Sequence, residues 1–137
     1  KRYRWEARRA ASRAYMDKLE KIFEMQRAFQ DDLIARRHLG DIPMEQWMQM
    51  QTLAMLSELA ELIDEVNFKW WKNPKPVDRE NVRGELADIL HFFVSMCLHA
   101  GMTADELFAR YVDKNRENFD RQNGRSAKPG YASPGAE

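Results

Sequence analysis

The sequence predicts an all-α protein: a helical bundle of about four main helices, assembled as a homo-oligomer. Three observations carry that expectation. Apolar residues recur at three- and four-residue steps along four separate stretches. Gly or Pro punctuates the chain between those stretches. No stretch shows the apolar–polar alternation of a half-buried strand.

The first helix is expected from about Ala10 to Leu39, with Leu19, Ile22, Phe23, Phe29, Leu33 and Ile34 along its apolar face. Gly40 is a natural stop, and "GDIP" turns the chain. The second helix is expected from about Pro43 to Asn67, its apolar face made by Trp47, Leu53, Leu56, Leu59, Leu62, Ile63 and Val66. "KNPKPVD" then breaks helix with two prolines. The third runs from Asp78 or Arg79 to Ala100, with Asp78 as N-cap. Its "LADILHFFVSMCLHA" is apolar almost all round, the pattern of a helix buried on several sides, in a bundle and in a subunit interface. Gly101 ends it. Thr103 caps the fourth helix with Glu106 three residues on, a capping box, and the helix continues to about Gln122. The chain thus divides into a basic extension (1–13), an all-α domain (14–122) and a Gly/Pro/Ser-rich tail (123–137) that is expected to be mobile or ordered by a ligand.

Composition narrows the function classes. A chain of 137 residues fits one domain or one subunit of an oligomer. Lys plus Arg and Asp plus Glu are 22 each, so the net charge is zero, which argues against nucleic acid as a partner. Cys97 is the only cysteine, which fits a reducing compartment such as the cytoplasm. No apolar run approaches the roughly 20 residues needed to span a bilayer, so no membrane partner is expected. The opening "KRYRWEARRAASRAYMDKLE" lacks the apolar stretch of a secretory signal, and its acidic residues argue against a transit peptide.

The chemistry lies in paired carboxylates. Glu58-x-x-Glu61 sits on the second helix and Glu85-x-x-Asp88 on the third, each pair sharing one helix face. Two antiparallel helices would bring the pairs together, and four carboxylates at one point repel unless a cation sits among them. Hard oxygen ligands suit Mg²⁺ or Mn²⁺. On the third helix Asp88, His91, Ser95 and His99 form a polar stripe, and His91 reads either as a metal ligand or as a hydrogen-bonded residue behind the ligands. "FKWWKN" sets Phe68, Trp70 and Trp71, which can stack on a base or sugar, beside Lys69 and Lys72, which can pair with phosphate. Gln26 and Gln30 are amides on an apolar helix face, able to read a nucleobase edge. Tyr111, Lys114, Asn115, Asn118 and Arg121 line one side of the fourth helix, a stripe suited to a triphosphate and its sugar.

These residues resemble a known family. "ELAELIDEVNFKWWKNPKPVDRENVRGELADILHFFVS" is similar to the core of the dimeric, all-α dUTPases, relatives of the MazG-type nucleotide pyrophosphatases. The family motif is E-x-x-E followed by E-x-x-D, matched by Glu58, Glu61, Glu85 and Asp88. "YVDKNRENFDRQNG" resembles its C-terminal motif, with Lys114, Asn115, Asn118 and Arg121 in place. "MQRAFQ" resembles its uracil-reading segment, with Gln30 where the family usually has Asn. The resemblance spans about Leu19 to Gly124. It implies Mg²⁺-dependent hydrolysis (Mn²⁺ as substitute, two or more ions per site) of dUTP to dUMP and pyrophosphate. It also implies a homodimer or larger assembly whose site borrows from a neighbour, in the cytoplasm, that of the host for a viral protein. Glu58 is then the water-orienting carboxylate and shares the metal with Glu61, Glu85 and Asp88. Gln26, Gln30, Phe68, Trp70 and Trp71 take the base and sugar; Lys69, Lys72, Lys114, Asn115, Asn118 and Arg121 take the phosphates. The rivals are a pyrophosphatase acting on dCTP or several nucleotides, and a non-enzymatic helical interaction module. A di-iron bundle wants two Glu-x-x-His pairs, and this chain has none.

Overall fold

The computed structural model describes residues 16–131. Among them are four helices and no strand: α1 (Lys18–Arg37), α2 (Met44–Glu65), α3 (Arg79–His99) and α4 (Ala104–Gln122). The described chain forms two compact units, one ending at Met102 and one beginning at Thr103. The all-α expectation is met; the basic extension, 1–13, lies outside the described residues.

Local chemistry sets each helix end. Asp17 caps α1 in a reciprocal box: its side chain accepts from the Glu20 N–H (2.8 Å), and Glu20 accepts from the Asp17 N–H (3.2 Å). This helix therefore begins at Lys18, and the expected start at Ala10 lies outside the described residues. Its far end is corrected. His38 adopts the left-handed conformation (φ 55°), and the Leu39 N–H bonds the Ile34 carbonyl at 3.0 Å. This paired closure stops the helix before Gly40 is reached. Histidine is among the non-glycine residues that tolerate that conformation best.

The connection from α2 to α3 is tied by one amide. Asn67 sits at φ 57°, where its Nδ2 donates to the Lys75 carbonyl and its Oδ1 accepts the Lys75 N–H, both at 2.8 Å. Pro74 and Pro76 flank Lys75 and carry no N–H, so Lys75 offers the only backbone donor there. Asp78 caps α3 as expected, accepting from Glu80 and Asn81 N–H groups at 3.0 and 3.1 Å. Gly101 (φ 74°) ends it.

In the first unit α2 packs on α3 and α1 packs more lightly on α3. Trp47 stacks on His99 while Glu58 and Glu61 meet Glu85, so α2 and α3 run antiparallel. Gln26 pairs with His91 and Gln30 with Ser95, so α1 and α3 run parallel. Phe23, Trp47, Val94, Cys97 and Leu98 are buried.

Within the single chain, burial is one-sided on both α3 and α2. On α3 only the side carrying Val94, Ser95, Cys97 and Leu98 is buried, while Leu86, Leu90 and Phe93 stay open. Two neighbouring helices cannot surround a third. On α2 the leucines expected to face inward are largely outside: Leu53 is 67% exposed and Leu56 54%. The seam turned toward α3 carries Trp47, Gln51, Ala54 and Glu58 instead, at helical three- and four-residue spacing. Carboxylates and leucines therefore coexist on α2 because they occupy different faces.

In the second unit Thr103 accepts the Glu106 N–H at 3.1 Å, capping α4. The described part of the tail is tied back to α4. The Ser126 hydroxyl (2.8 Å) and Arg121 Nε (2.9 Å) both donate to Glu117 Oε1, and Arg121 lies over the Tyr131 ring at 5.4 Å. The Ser126 hydrogen bond, reinforced by Arg121, holds the Glu117 carboxyl below its usual value.

Candidate functional site

The antiparallel register of α2 and α3 decides the site. It places the Glu58-x-x-Glu61 turn of α2 opposite the Glu85 turn of α3. One carboxylate oxygen from each of Glu58, Glu61 and Glu85 falls in a group whose members all lie within 4.8 Å of one another. Glu85 Oε2 is buried and has no hydrogen-bond partner. Burial of the Glu85 carboxyl raises its pKa from 4.5 to about 7, helped by the hydrogen bonds and negative charge of Glu58 and Glu61. A cluster that holds a proton near neutrality for want of positive charge is suited to a cation. The donors are all hard oxygens, and the orphaned Glu85 oxygen points to the same fit, so Mg²⁺ or Mn²⁺ matches the set. Asp88, the fourth expected ligand, is exposed and stands outside this triad.

Next to the triad a cleft of about 400 Å³ opens between the three helices. Glu58 and Asp88 line it, as do Gln26 and Gln30 from α1 and His91 and Ser95 from α3. Its wall also includes residues not read as site residues in the sequence, among them Trp47 and the polar Gln51 of α2. The signal was present, because Gln51 lies seven residues before Glu58, two turns along the same face. Gln51 Oε1 is buried and has no hydrogen-bond partner.

His91 Nδ1 lies 2.9 Å from Gln26 Oε1, and His91 is not among the Glu58–Glu61–Glu85 group. His99, at the far end of the stripe, stacks on Trp47 with centroids 4.3 Å apart and planes at 13°. Burial pushes its pKa down, which keeps the stacked imidazole neutral.

The aromatic–lysine segment stands apart from this cleft. Trp70 is 87% exposed, and Trp70 and Trp71 are absent from the cleft wall. Phe68 and Trp70 each contact Trp71 edge-on, at 6.3 and 5.6 Å. Lys69 pairs with Asp64 at 3.4 Å and lies near the Phe68 ring. Phe68, Lys69 and Lys72 instead line a smaller cleft of about 210 Å³ with Asn67 and Lys75. On α4, Tyr111, Lys114, Asn115 and Asn118 are exposed, and Arg121 has its Nε committed to Glu117.

The profile of the family described as dUTPase matches residues 18–103, more than half of the 137-residue chain. The chain belongs to the dUTPase family. The match covers the whole of α1 to α3, and with them every carboxylate and amide of the cleft just described. This member of the dUTPase family is 45% identical over 47 residues to a dCTP pyrophosphatase of Enterobacteria phage T4, covering 34% of this chain and 28% of that protein. It is 40% identical over 58 residues to a dCTP pyrophosphatase of Enterobacteria phage LZ5, covering 42% of this chain and 34% of that protein. The alignments thus span about a third of the length of these curated relatives. No solved structure matches the chain at a significant level.

Proposed function

We propose that this protein is a Mg²⁺-dependent nucleoside triphosphate pyrophosphohydrolase that converts dUTP to dUMP and pyrophosphate. One observation carries the reading: a carboxylate triad, Glu58, Glu61 and Glu85, adjoins a cleft walled by the amides Gln26, Gln30 and Gln51. Carboxylates suit the metal–triphosphate end of a nucleotide, and amides suit its base.

Glu58, Glu61 and Glu85 would hold the ion, with Asp88 as the fourth carboxylate of the motif. The bound ion supplies positive charge that polarises phosphoryl oxygens. Glu58 orients the attacking water and takes its proton. The water oxygen bonds to phosphorus, the anhydride bond between the α- and β-phosphates breaks, and pyrophosphate leaves.

The open leucine face of α2 and the exposed Leu86, Leu90 and Phe93 of α3 support a homodimer. Across that interface the exposed Phe68, Trp70 and Trp71, with Lys69 and Lys72, would complete a neighbour's site. Activity is placed in residues 14–122. The phage origin of the relatives supports action in a host cytoplasm, and no helix among the described residues is long and apolar enough to cross a membrane.

A second reading keeps the chemistry and changes the base: the two phage relatives are named for dCTP. The test is a panel of nucleoside triphosphates with and without Mg²⁺, read by pyrophosphate release. Metal-dependent release from dUTP above all others supports the proposal. Release from dCTP above dUTP moves it to the second reading, and no release from any nucleotide overturns it.

A further inference from the structure

The second unit holds a guanidinium fixed on two sides. Glu117 and Arg121 stand one turn apart on α4, and Arg121 Nε donates to Glu117 Oε1 at 2.9 Å. Past the helix end Gly124 sits at φ 68°, and the Arg125 N–H bonds the Asp120 carbonyl at 2.8 Å. This closure turns the chain back, so that Ser126 and Tyr131 both reach α4. The Ser126 hydroxyl donates to Glu117 Oε1 at 2.8 Å and accepts the Lys128 N–H at 3.2 Å. These bonds run one way only. Arginine carries no acceptor. The Glu117 carboxyl, held below its usual value by the Ser126 and Arg121 hydrogen bonds, is ionised and donates nothing. The Tyr131 ring covers the guanidinium at 5.4 Å, and the Arg121 side chain is 17% exposed. Neither Nη has a hydrogen-bond partner among the described residues. A guanidinium bonded through Nε keeps its two-Nη end, which matches two oxygens of a phosphate.

We propose that Glu117 and Tyr131 are positioning residues that hold Arg121 as a preset fork for a phosphate oxyanion of the nucleotide's polyphosphate chain. The inference rests on the pyrophosphohydrolase reading for the source of that anion, and it adds the residues that aim the cation. Neither Glu117 nor Tyr131 is among the motif positions matched in the sequence. An arginine loose on a helix face turns about several bonds and must be stilled when it binds. Fixing it beforehand removes that cost, worth about threefold to tenfold in affinity for one long side chain. Charge alone argues the opposite way. Glu117 sets a negative charge beside the cation, which should weaken its hold on any anion. At 39% side-chain exposure that repulsion is screened, and orientation prevails. The two effects therefore predict opposite signs when the Glu117 carboxylate is removed.

The experiment measures binding of tripolyphosphate to the full chain in chelator, by titration calorimetry, and kcat/KM for dUTP with Mg²⁺. The parent should bind tripolyphosphate. Arg121→Lys keeps the charge and loses the fork, and should bind it several-fold more weakly. Glu117→Ala should weaken binding by about threefold to tenfold, although it removes a negative charge. Glu117→Gln keeps the acceptor oxygen and should recover the parent's affinity or exceed it. Tyr131→Leu should weaken binding in the same direction, and it reads the fork should Glu117→Ala fail to fold. Ser126→Ala removes a tie of the tail and leaves the Arg121 bond, so its loss should be smaller than that of Glu117→Ala. The same order should appear in kcat/KM for dUTP. Unchanged or tighter tripolyphosphate binding in Glu117→Ala would overturn the fork. So would an equal loss in Ser126→Ala, or a parent that does not bind tripolyphosphate. Absence of pyrophosphate from every nucleotide would instead sink the activity, and the tripolyphosphate affinities would still decide the fork.

Discussion

Replacing Glu85 by glutamine in the metal-free protein should remove a pH dependence that the triad imposes. Burial, with Glu58 and Glu61 close by, raises the Glu85 pKa from 4.5 to about 7. The sign follows from linkage. The folded state holds the Glu85 proton more tightly than the unfolded chain does, so folding takes up as much as nearly one proton per molecule between those two values. The stabilisation is complete below 4.5 and is lost as pH rises through about 7. An amide at this position neither titrates nor adds charge. Glu85→Gln should therefore be flatter across this window than the parent, and more stable than the parent above it. Mg²⁺ should reverse the order, because the parent gains a bound ion that the variant holds poorly. The assay is thermal unfolding followed by circular dichroism, in chelator and in Mg²⁺, in steps from pH 4.5 to pH 8. A metal-free parent that gains stability across this range, or a Glu85→Gln protein with the same loss as the parent, would refute the reasoning.

Glu61→Gln should keep the helical signal and lose Mg²⁺ affinity by about tenfold or more, since the near-isosteric amide lacks charge; titration calorimetry reads it, and full affinity would take Glu61 out of the site. Gln26→Ala should narrow the dUTP:dCTP ratio of kcat/KM by about tenfold. It should leave Mg²⁺ affinity unchanged, because α1 contributes no carboxylate to the triad; an unchanged ratio would return Gln26 to a packing role. Asn67→Ala removes both 2.8 Å bonds to Lys75 and places a Cβ residue without a polar side chain at positive φ, a loss of about 2 kcal/mol. It should lower Tm by several degrees and open the segment between Asn67 and Lys75 to proteolysis, and unaltered cleavage would show that the clamp is dispensable.

The sequence made the helices and the carboxylates legible because both follow from spacing along one chain. Three-residue spacing put Glu58 with Glu61, and the Pro-broken connection made α2 and α3 antiparallel neighbours. Asp78 and Thr103 were readable as caps because their bonds are local. The miss at α1 was also local: His38 took a role assigned to Gly40. Direction was harder to read. Periodicity locates a leucine face on α2 without saying whether it meets α3 or the outside, and Leu53 and Leu56 turned out to face away. Gln51 was overlooked for the same reason: its value lies in what stands across the cleft, which only the three-helix register supplies. The His91–Gln26 and Ser95–Gln30 pairs span 65 residues each, and no local pattern announces such a partnership.

The central claim concerns which bond breaks, and product analysis tests it most directly. Purified protein is incubated with dUTP and Mg²⁺, and the products are separated and quantified. The account predicts dUMP and pyrophosphate in equal amounts, no dUDP, no turnover in chelator, and near-complete loss in Glu58→Gln. Formation of dUDP and phosphate, or turnover that survives both chelation and loss of the Glu58 carboxylate, would contradict it.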